Sequence, residues 1–241
     1  MPDSSQQPVQ SFLASTRQKL SSERRPWYHV GRVARILFGV YALLLILFAI
    51  LAWWAHAHPI SPIDVAITQE FQEYPFPWLS AIMLIISYPG SSFLLPTLIV
   101  LAALFCWIMK WRLEAIFIAS LSLVSWLLNI SLKLLVERPR PTSQWVDILQ
   151  AAKGLSFPSG HVMAYLAFWG LLFSFGIILL RGMSWWRIAL LAISAVFIIL
   201  VGPSRIYLGD HWASDVLGSY LIGGVLLGLA LWLYLRFKAL N

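Results

Sequence analysis

Residues 36–55 read ILFGVYALLLILFAILAWWA, an uninterrupted run without a charge. A helix of about 20 apolar residues covers the roughly 30 Å hydrocarbon core of a bilayer. Backbone N–H and C=O groups in lipid must be satisfied inside the segment, which selects a helix. A strand of a membrane barrel would alternate apolar and polar positions, and this run does not. The same signal recurs along the chain. The apolar stretch Trp78–Met109 is longer than one span needs, and Pro89-Gly90 predicts a break that leaves a short segment and then a span near Ser91–Met109. Further runs follow at Ala115–Leu132, Val162–Leu180, Ile188–Ser204 and Val216–Leu235. The reading is an all-α polytopic membrane bundle with six transmembrane helices.

Composition agrees. The chain has 241 residues, 60% of them hydrophobic and only 11% charged, where soluble domains carry about 25% charged residues. Disorder, a secreted disulfide scaffold and an ordinary soluble enzyme are excluded. The single cysteine, Cys106, forbids an intrachain disulfide. The net charge of +7 is not a nucleic-acid signal, because its distribution follows the spans. Arg17, Lys19, Arg24, Arg25, Arg32 and Arg35 precede the first; Lys110 and Arg112, Arg181 and Arg187, and Arg236 and Lys238 fall at the same face. The positive-inside rule assigns that face, with both termini, to the cytoplasm. Residues 1–35 form a basic cytoplasmic segment, and 36–241 the six-span domain. Ala55-His56-Ala57 resembles a signal-peptidase site, but the run before it exceeds a signal peptide's apolar core, so a retained span is expected. Pro59–Pro77 reads as an amphipathic helix on the outer surface. Trp53, Trp54 and Trp78 at one boundary, and Trp107, Trp111, Trp185 and Trp186 at the other, read as interfacial belts.

Five cations break the rule: Lys133, Arg138, Arg140, Lys153 and Arg205 sit at or near the outer ends of spans. Charge there is costly unless paired or hydrated. Three outer segments hold most of the unusual polar residues: KLLVERPRP at 133–141, FPSGH at 157–161 and SRIYLGDHWASD at 204–215. Span counting alone brings them to one face. Lys133, Arg140 and Arg205 suit a dianionic phosphate, Arg through bidentate donors and Lys as a point charge. Ser159-Gly160 opens a helix, where free N–H groups and the dipole favour an anion, and Gly160 permits close backbone approach. Each feature alone has a bland explanation: a snorkelling Lys, an N-cap Ser. Their coincidence points to a site. His211 and Asp215, four apart, share a helix face. A carboxylate on one imidazole nitrogen fixes the tautomer and frees the other nitrogen to attack. His161, from another helix, is placed to give a proton to a leaving oxygen. Arg138, Glu137 and Lys153 are expected to be solvated, His29, His56 and His58 interfacial or solvated, and Asn129, inside a span, unglycosylated. Zinc on His161, His211 and Asp215 is disfavoured by three nearby cations.

Lys133-x6-Arg140-Pro141, Pro158-Ser159-Gly160-His161 and Ser204-Arg205-x5-His211-x3-Asp215 together resemble the signature of the type 2 phosphatidic acid phosphatases, membrane lipid phosphate phosphatases related to vanadium haloperoxidases. The signature covers 133–215, in family order and spacing. The resemblance implies that His211 attacks phosphorus and becomes phosphohistidine, that Asp215 orients it, and that His161 protonates the leaving group. Lys133, Arg140, Arg205, Ser159 and Gly160 would hold the phosphate oxygens. It implies no metal or cofactor, a lipid-phosphate substrate drawn from the bilayer, and a multi-pass plasma-membrane enzyme whose site faces the extracytoplasmic side. Substrate candidates are undecaprenyl diphosphate, phosphatidylglycerol phosphate, phosphatidic acid and diacylglycerol pyrophosphate. A phosphotransferase using the same intermediate, and a lipid-binding or transport protein, are the alternative readings. The oligomeric state is not legible.

Overall fold

The computed structural model describes residues 27–180, 182 and 184–239, with side chains from Arg35 onward. The basic residues Arg17, Lys19, Arg24, Arg25 and Arg181, and the side chains of His29 and Arg32, lie outside the described residues. Regular structure among the described residues is helical throughout: α1 (Trp27–Ala57), α2 (Pro62–Gln72), α3 (Pro77–Ser91), α4 (Leu94–Ile108), α5 (Arg112–Val136), α6 (Gly160–Ile178), α7 (Trp185–Tyr207) and α8 (Ala213–Lys238). Five are long and apolar enough to cross a membrane: the Arg35–Ala57 part of α1, and α5, α6, α7 and α8; α3 and α4, bent by 62°, make a sixth if counted as one broken span.

The break departs from the sequence expectation. Pro89 lies inside α3, buried, and the helix continues to Ser91 before the chain turns at Ser92 and Phe93. Neither 15-residue half is long enough to span alone. The reason is a tertiary repair. The Tyr165 hydroxyl of α6 donates to Ile86 O at 2.6 Å and accepts from Gly90 N–H at 3.2 Å. It thus inserts between a donor and the carbonyl four residues before it, satisfying both where the helical ladder opens beside Pro89.

From Leu44 onward the chain forms one compact unit, and α6 is its centre. Sixty-one per cent of the most apolar stretch of α6 is buried, against 33% for those of α5 and α8, as a helix apolar on every face requires. It packs on α3, α5, α7 and α8. Trp169 stacks on Phe197 of α7 with centroids 4.7 Å apart, and Phe175 meets Tyr234 of α8 at 4.9 Å. The far end of the bundle carries its own polar cluster: Glu114 accepts from the Tyr234 hydroxyl at 2.6 Å and from Lys238 at 2.9 Å.

The α2 segment differs from a helix lying free on a surface. Asp64 and Thr68, one turn apart, point inward and are buried, while Gln69 and Gln72 clamp the 142–150 loop. Gln72 Nε2 donates to Asp147 O at 2.8 Å and accepts at Oε1 from Asp147 N–H at 3.0 Å. Gly209 (φ +72°) carries the turn after α7, where a Cβ would overlap the Asp147 carbonyl oxygen.

Candidate active site

The three polar segments at 133–141, 157–161 and 204–215 converge at one end of the bundle. Lys133 leaves the last turn of α5 and donates to the carbonyls of Leu155 and Ser156. Arg140 donates from Nε to Lys153 O at 3.2 Å and from Nη1 to Asp210 O at 2.9 Å; Nη1 also lies 3.2 Å from His211 Nε2. A guanidinium has only donors, so His211 Nε2 presents its lone pair and the ring proton is on Nδ1. That nitrogen faces Asp215 Oδ2 at 3.4 Å and Ser156 Oγ at 3.3 Å. Arg140 therefore sits at the nitrogen free to act as nucleophile.

Asp215 opens α8, and its Oδ2 accepts from Trp212 N–H at 3.0 Å, the return half of a capping box. The Ser156 hydroxyl donates to the same oxygen. Oδ1 accepts from Arg138 Nη1 at 2.7 Å. Arg138 is fully buried and also donates to Asp64 Oδ2 and Ser214 Oγ, each at 2.6 Å, and to Pro59 O at 3.0 Å. The expectation that Arg138 is solvated is wrong: it is the counter-ion that makes two buried carboxylates tolerable. Glu137 and Lys153 are exposed. His56 is also more engaged than expected, its Nδ1 lying 2.9 Å from Val136 O.

Arg205 is buried, ion-paired with Asp210 and hydrogen-bonded to Ser87 Oγ and, at 3.2 Å, to Gln150 Oε1. Its Nε has no partner among the described residues. The Ser159 hydroxyl is likewise buried and unpartnered, although Ser159 N–H is satisfied by Ser219 Oγ at 2.7 Å. A Cβ on Gly160 would lie 3.1 Å from Asn129 Oδ1, so Asn129 would have to give by a few tenths of an ångström. His161 lies across the site, its Nε2 2.9 Å from Ser91 Oγ.

Arg138 and Arg205 have carboxylate partners, whereas among the described residues Lys133 and Arg140 hydrogen-bond to carbonyls and, for Arg140, the neutral imidazole. Burial pushes the Arg140 guanidinium below its ordinary value, with Asp215 opposing. Burial also holds His211 well below the usual imidazole range, reinforced by Arg140, Lys133 and Arg205. A neutral, oriented imidazole beside cations lacking counter-ions and an orphaned hydroxyl suits attack on a phosphorus whose oxygens supply the missing negative charge. No group of three His, Cys, Asp or Glu among the described residues is arranged to hold a metal ion.

The PAP2 superfamily model matches residues 110–239. The chain belongs to the PAP2 superfamily. Phosphatidylglycerophosphatase B of Bacillus subtilis (strain 168) is 32% identical over 182 residues, covering 75% of this chain and 87% of that protein. Phosphatidylglycerophosphatase B of Escherichia coli (strain K12) is 36% identical over 89 residues, 36% of this chain and 32% of that one. The crystal structure of a transmembrane PAP2-type phosphatidylglycerolphosphate phosphatase from Bacillus subtilis superposes with a TM-score of 0.68 at 30% identity, covering 79% of this chain and 93% of that one. The crystal structure of Aquifex aeolicus LpxE gives 0.51 at 26% identity, covering 71% and 96%. This PAP2 protein is thus a membrane lipid phosphatase, a hydrolase of phosphate esters related to phosphatidylglycerophosphatase B.

Sequence reasoning missed Arg138, Asp64, Ser156, Ser91 and Gln150. Asp64 and Ser91 lie outside the residues the PAP2 family model covers. One signal was present: an inward-pointing acid at Asp64, on a helix otherwise read as surface, needs a cation, and Arg138 was the cation without a role.

Proposed function

We propose that this PAP2 enzyme cleaves a lipid phosphomonoester or diphosphate through a phosphohistidine on His211, at the extracytoplasmic face of the plasma membrane. The observation that carries the proposal is the set of three contacts on one imidazole: Arg140 at Nε2, Asp215 and Ser156 behind Nδ1.

His211 Nε2 attacks phosphorus while His161, protonated, gives its proton to the leaving oxygen. Lys133, Arg140 and Arg205, with Ser159 and the Gly160 backbone, hold the phosphate oxygens and stabilise the charge of the five-coordinate transition state. Asp215 stabilises the cationic ring that forms. Water then attacks the phosphohistidine, neutral His161 takes its proton, and inorganic phosphate leaves.

Counting the bent α3–α4 pair as one span gives six, with both termini on one side. The basic residues at the chain ends and at Lys110 and Arg112 favour the cytoplasm for that side, with residues 1–35 a cytoplasmic segment. The site then lies at the outer face. A cavity of 640 Å³ bounded by apolar side chains such as Leu95, Ile99 and Trp126 reaches His161 and Gly160, and suits a lipid tail that stays among the helices while its headgroup enters the site. Undecaprenyl diphosphate, phosphatidylglycerol phosphate, phosphatidic acid and diacylglycerol pyrophosphate all fit this chemistry. The B. subtilis relative's name favours phosphatidylglycerol phosphate.

The test is phosphate release from these lipids by purified protein in detergent with EDTA, beside His211→Ala. Release that disappears in the variant, and acid-labile 32P on wild type alone, are expected. Equal background in both overturns the proposal.

A further inference from the structure

Among the described polar residues near His161 that lie outside the signature are Ser87 and Ser91 on the last turns of α3, and Gln150 on the loop that α2 clamps. They form one connected chain. Ser91 Oγ lies 2.9 Å from His161 Nε2 and accepts from Gln150 Nε2 at 3.0 Å. Gln150 Oε1 accepts from Ser87 Oγ at 3.0 Å and from Arg205 at 3.2 Å. The carbonyl end of Gln150 is thus saturated and fixed, which leaves its amide N–H group aimed at Ser91.

A proton donor must lie within hydrogen-bond reach of the oxygen it protonates. In the proposed reaction the leaving oxygen therefore takes the place at His161 Nε2 that Ser91 Oγ now holds. That exchange takes the His161 contact from Ser91 Oγ, which keeps the Gln150 amide at 3.0 Å and Ser87 O at 3.4 Å but is left with an open lone pair. Polar groups left unpaired at a site cost affinity, and this is how a site rejects a substrate lacking the group it was built for.

We propose that Ser91 and Gln150 form a leaving-group subsite for an alcohol with a free hydroxyl on the carbon next to the ester-bearing one. The inference rests on the phosphatase reading and deepens it. Such a hydroxyl lies about one hydrogen-bond length from the leaving oxygen. It donates to the lone pair left open on Ser91 Oγ and accepts from the second N–H of Gln150 Nε2, replacing the contact that Ser91 gives up. The headgroup of phosphatidylglycerol phosphate leaves as an alcohol of this kind. In phosphatidic acid the neighbouring oxygen is acylated and has no proton to give. In a lipid diphosphate the leaving group is itself a phosphate, which offers acceptors only.

The experiment compares kcat/KM on phosphatidylglycerol phosphate with that on its deoxy analogue lacking the hydroxyl beside the phosphoester, acyl chains matched, in mixed micelles. Wild type, Ser91→Ala and Gln150→Leu are assayed together, with phosphatidic acid as a third substrate. Wild type is expected to favour the hydroxylated lipid over both others by about tenfold or more, the scale of one or two hydrogen bonds. In each variant the preference is expected to shrink to about twofold. A general loss of folded enzyme lowers all rates together and leaves the ratio untouched, so a ratio that survives in both variants overturns the proposal. Equal wild-type rates on the lipid and its deoxy analogue overturn it as well, with the phosphatase reading intact. Failure of wild type to hydrolyse any of the three overturns it too, and overturns the phosphatase reading only if undecaprenyl diphosphate and diacylglycerol pyrophosphate are also left intact.

Discussion

Arg138 Nη1 lies 2.7 Å from Asp215 Oδ1 while its Nη2 lies 2.6 Å from Asp64 Oδ2, so one buried guanidinium joins the carboxylate behind His211 to a helix far away in sequence. The arrangement has a direct energetic consequence. Breaking a buried ion pair by removing one partner leaves an uncompensated charge and costs about 3–5 kcal/mol. Arg138→Leu strands two carboxylates and is expected to lower stability by at least that much, read as a fall in the thermal midpoint in detergent. Asp64→Asn removes one charge and keeps Arg138 on Asp215, so its loss should be smaller. A wild-type midpoint for Arg138→Leu would show the network to be dispensable.

The spans were legible because lipid demands long charge-free runs, and Ile36–Ala55, Ala115–Leu132 and Val216–Leu235 each fall inside an observed helix. The convergence of Lys133, Arg140, His161, Arg205, His211 and Asp215 was legible because span counting fixes which ends meet. What escaped was pairing across long separations. Arg138 meets Asp64 at 74 residues' distance and Tyr165 meets Gly90 at 75. No local pattern encodes either contact. Pro89 announces a broken backbone, but only the packed α6 reveals what repairs it.

The repair is testable. Tyr165→Phe keeps the ring and deletes the oxygen that serves Gly90 N–H and Ile86 O. Groups left unsatisfied in a buried site cost about 1–3 kcal/mol. A drop of that size is expected in the unfolding free energy, together with faster hydrogen exchange at the Gly90 amide. Unchanged exchange there would mean that the hydroxyl does not hold the break.

The pH response follows from His211. Folded, its pKa is held below the ordinary 6.5 by burial first and then by Arg140, Lys133 and Arg205. Unfolded, it takes up a proton near pH 6.5. As pH falls through that value the unfolded state binds more protons, so this group's contribution to stability is complete above 6.5 and is lost progressively toward the lower folded pKa. An imidazole titration by NMR, assigned with His211→Gln, should give a midpoint below 6.5 in the free enzyme. Arg140→Gln should move that midpoint upward, because it removes the cation that depresses it most. A midpoint at or above 6.5 in wild type would contradict the neutral nucleophile.

Gly90 offers a test of how tightly His161 is placed. The glycine sits one residue before Ser91, and a Cβ built on it would lie 2.9 Å from His161 Nε2, closer still to a ring carbon, and 3.0 Å from Tyr165 Cε2. Neither aromatic ring is free to yield, because Tyr165 is pinned by its two backbone bonds and His161 by Ser91. Gly90→Ala must therefore displace the imidazole or the end of α3. A misplacement of about 1 Å in a catalytic group can cost about 100-fold in rate, and kcat is expected to fall on that scale. Lys133 and Arg140, proposed to hold the phosphate, take their contacts from Lys153, Leu155, Ser156, Asp210 and His211 and should keep them, so competitive inhibition by inorganic phosphate should change by less than about threefold, far below the effect of losing a charged hydrogen bond. A kcat within twofold of wild type would mean that His161 tolerates displacement and that proton donation does not depend on its present position.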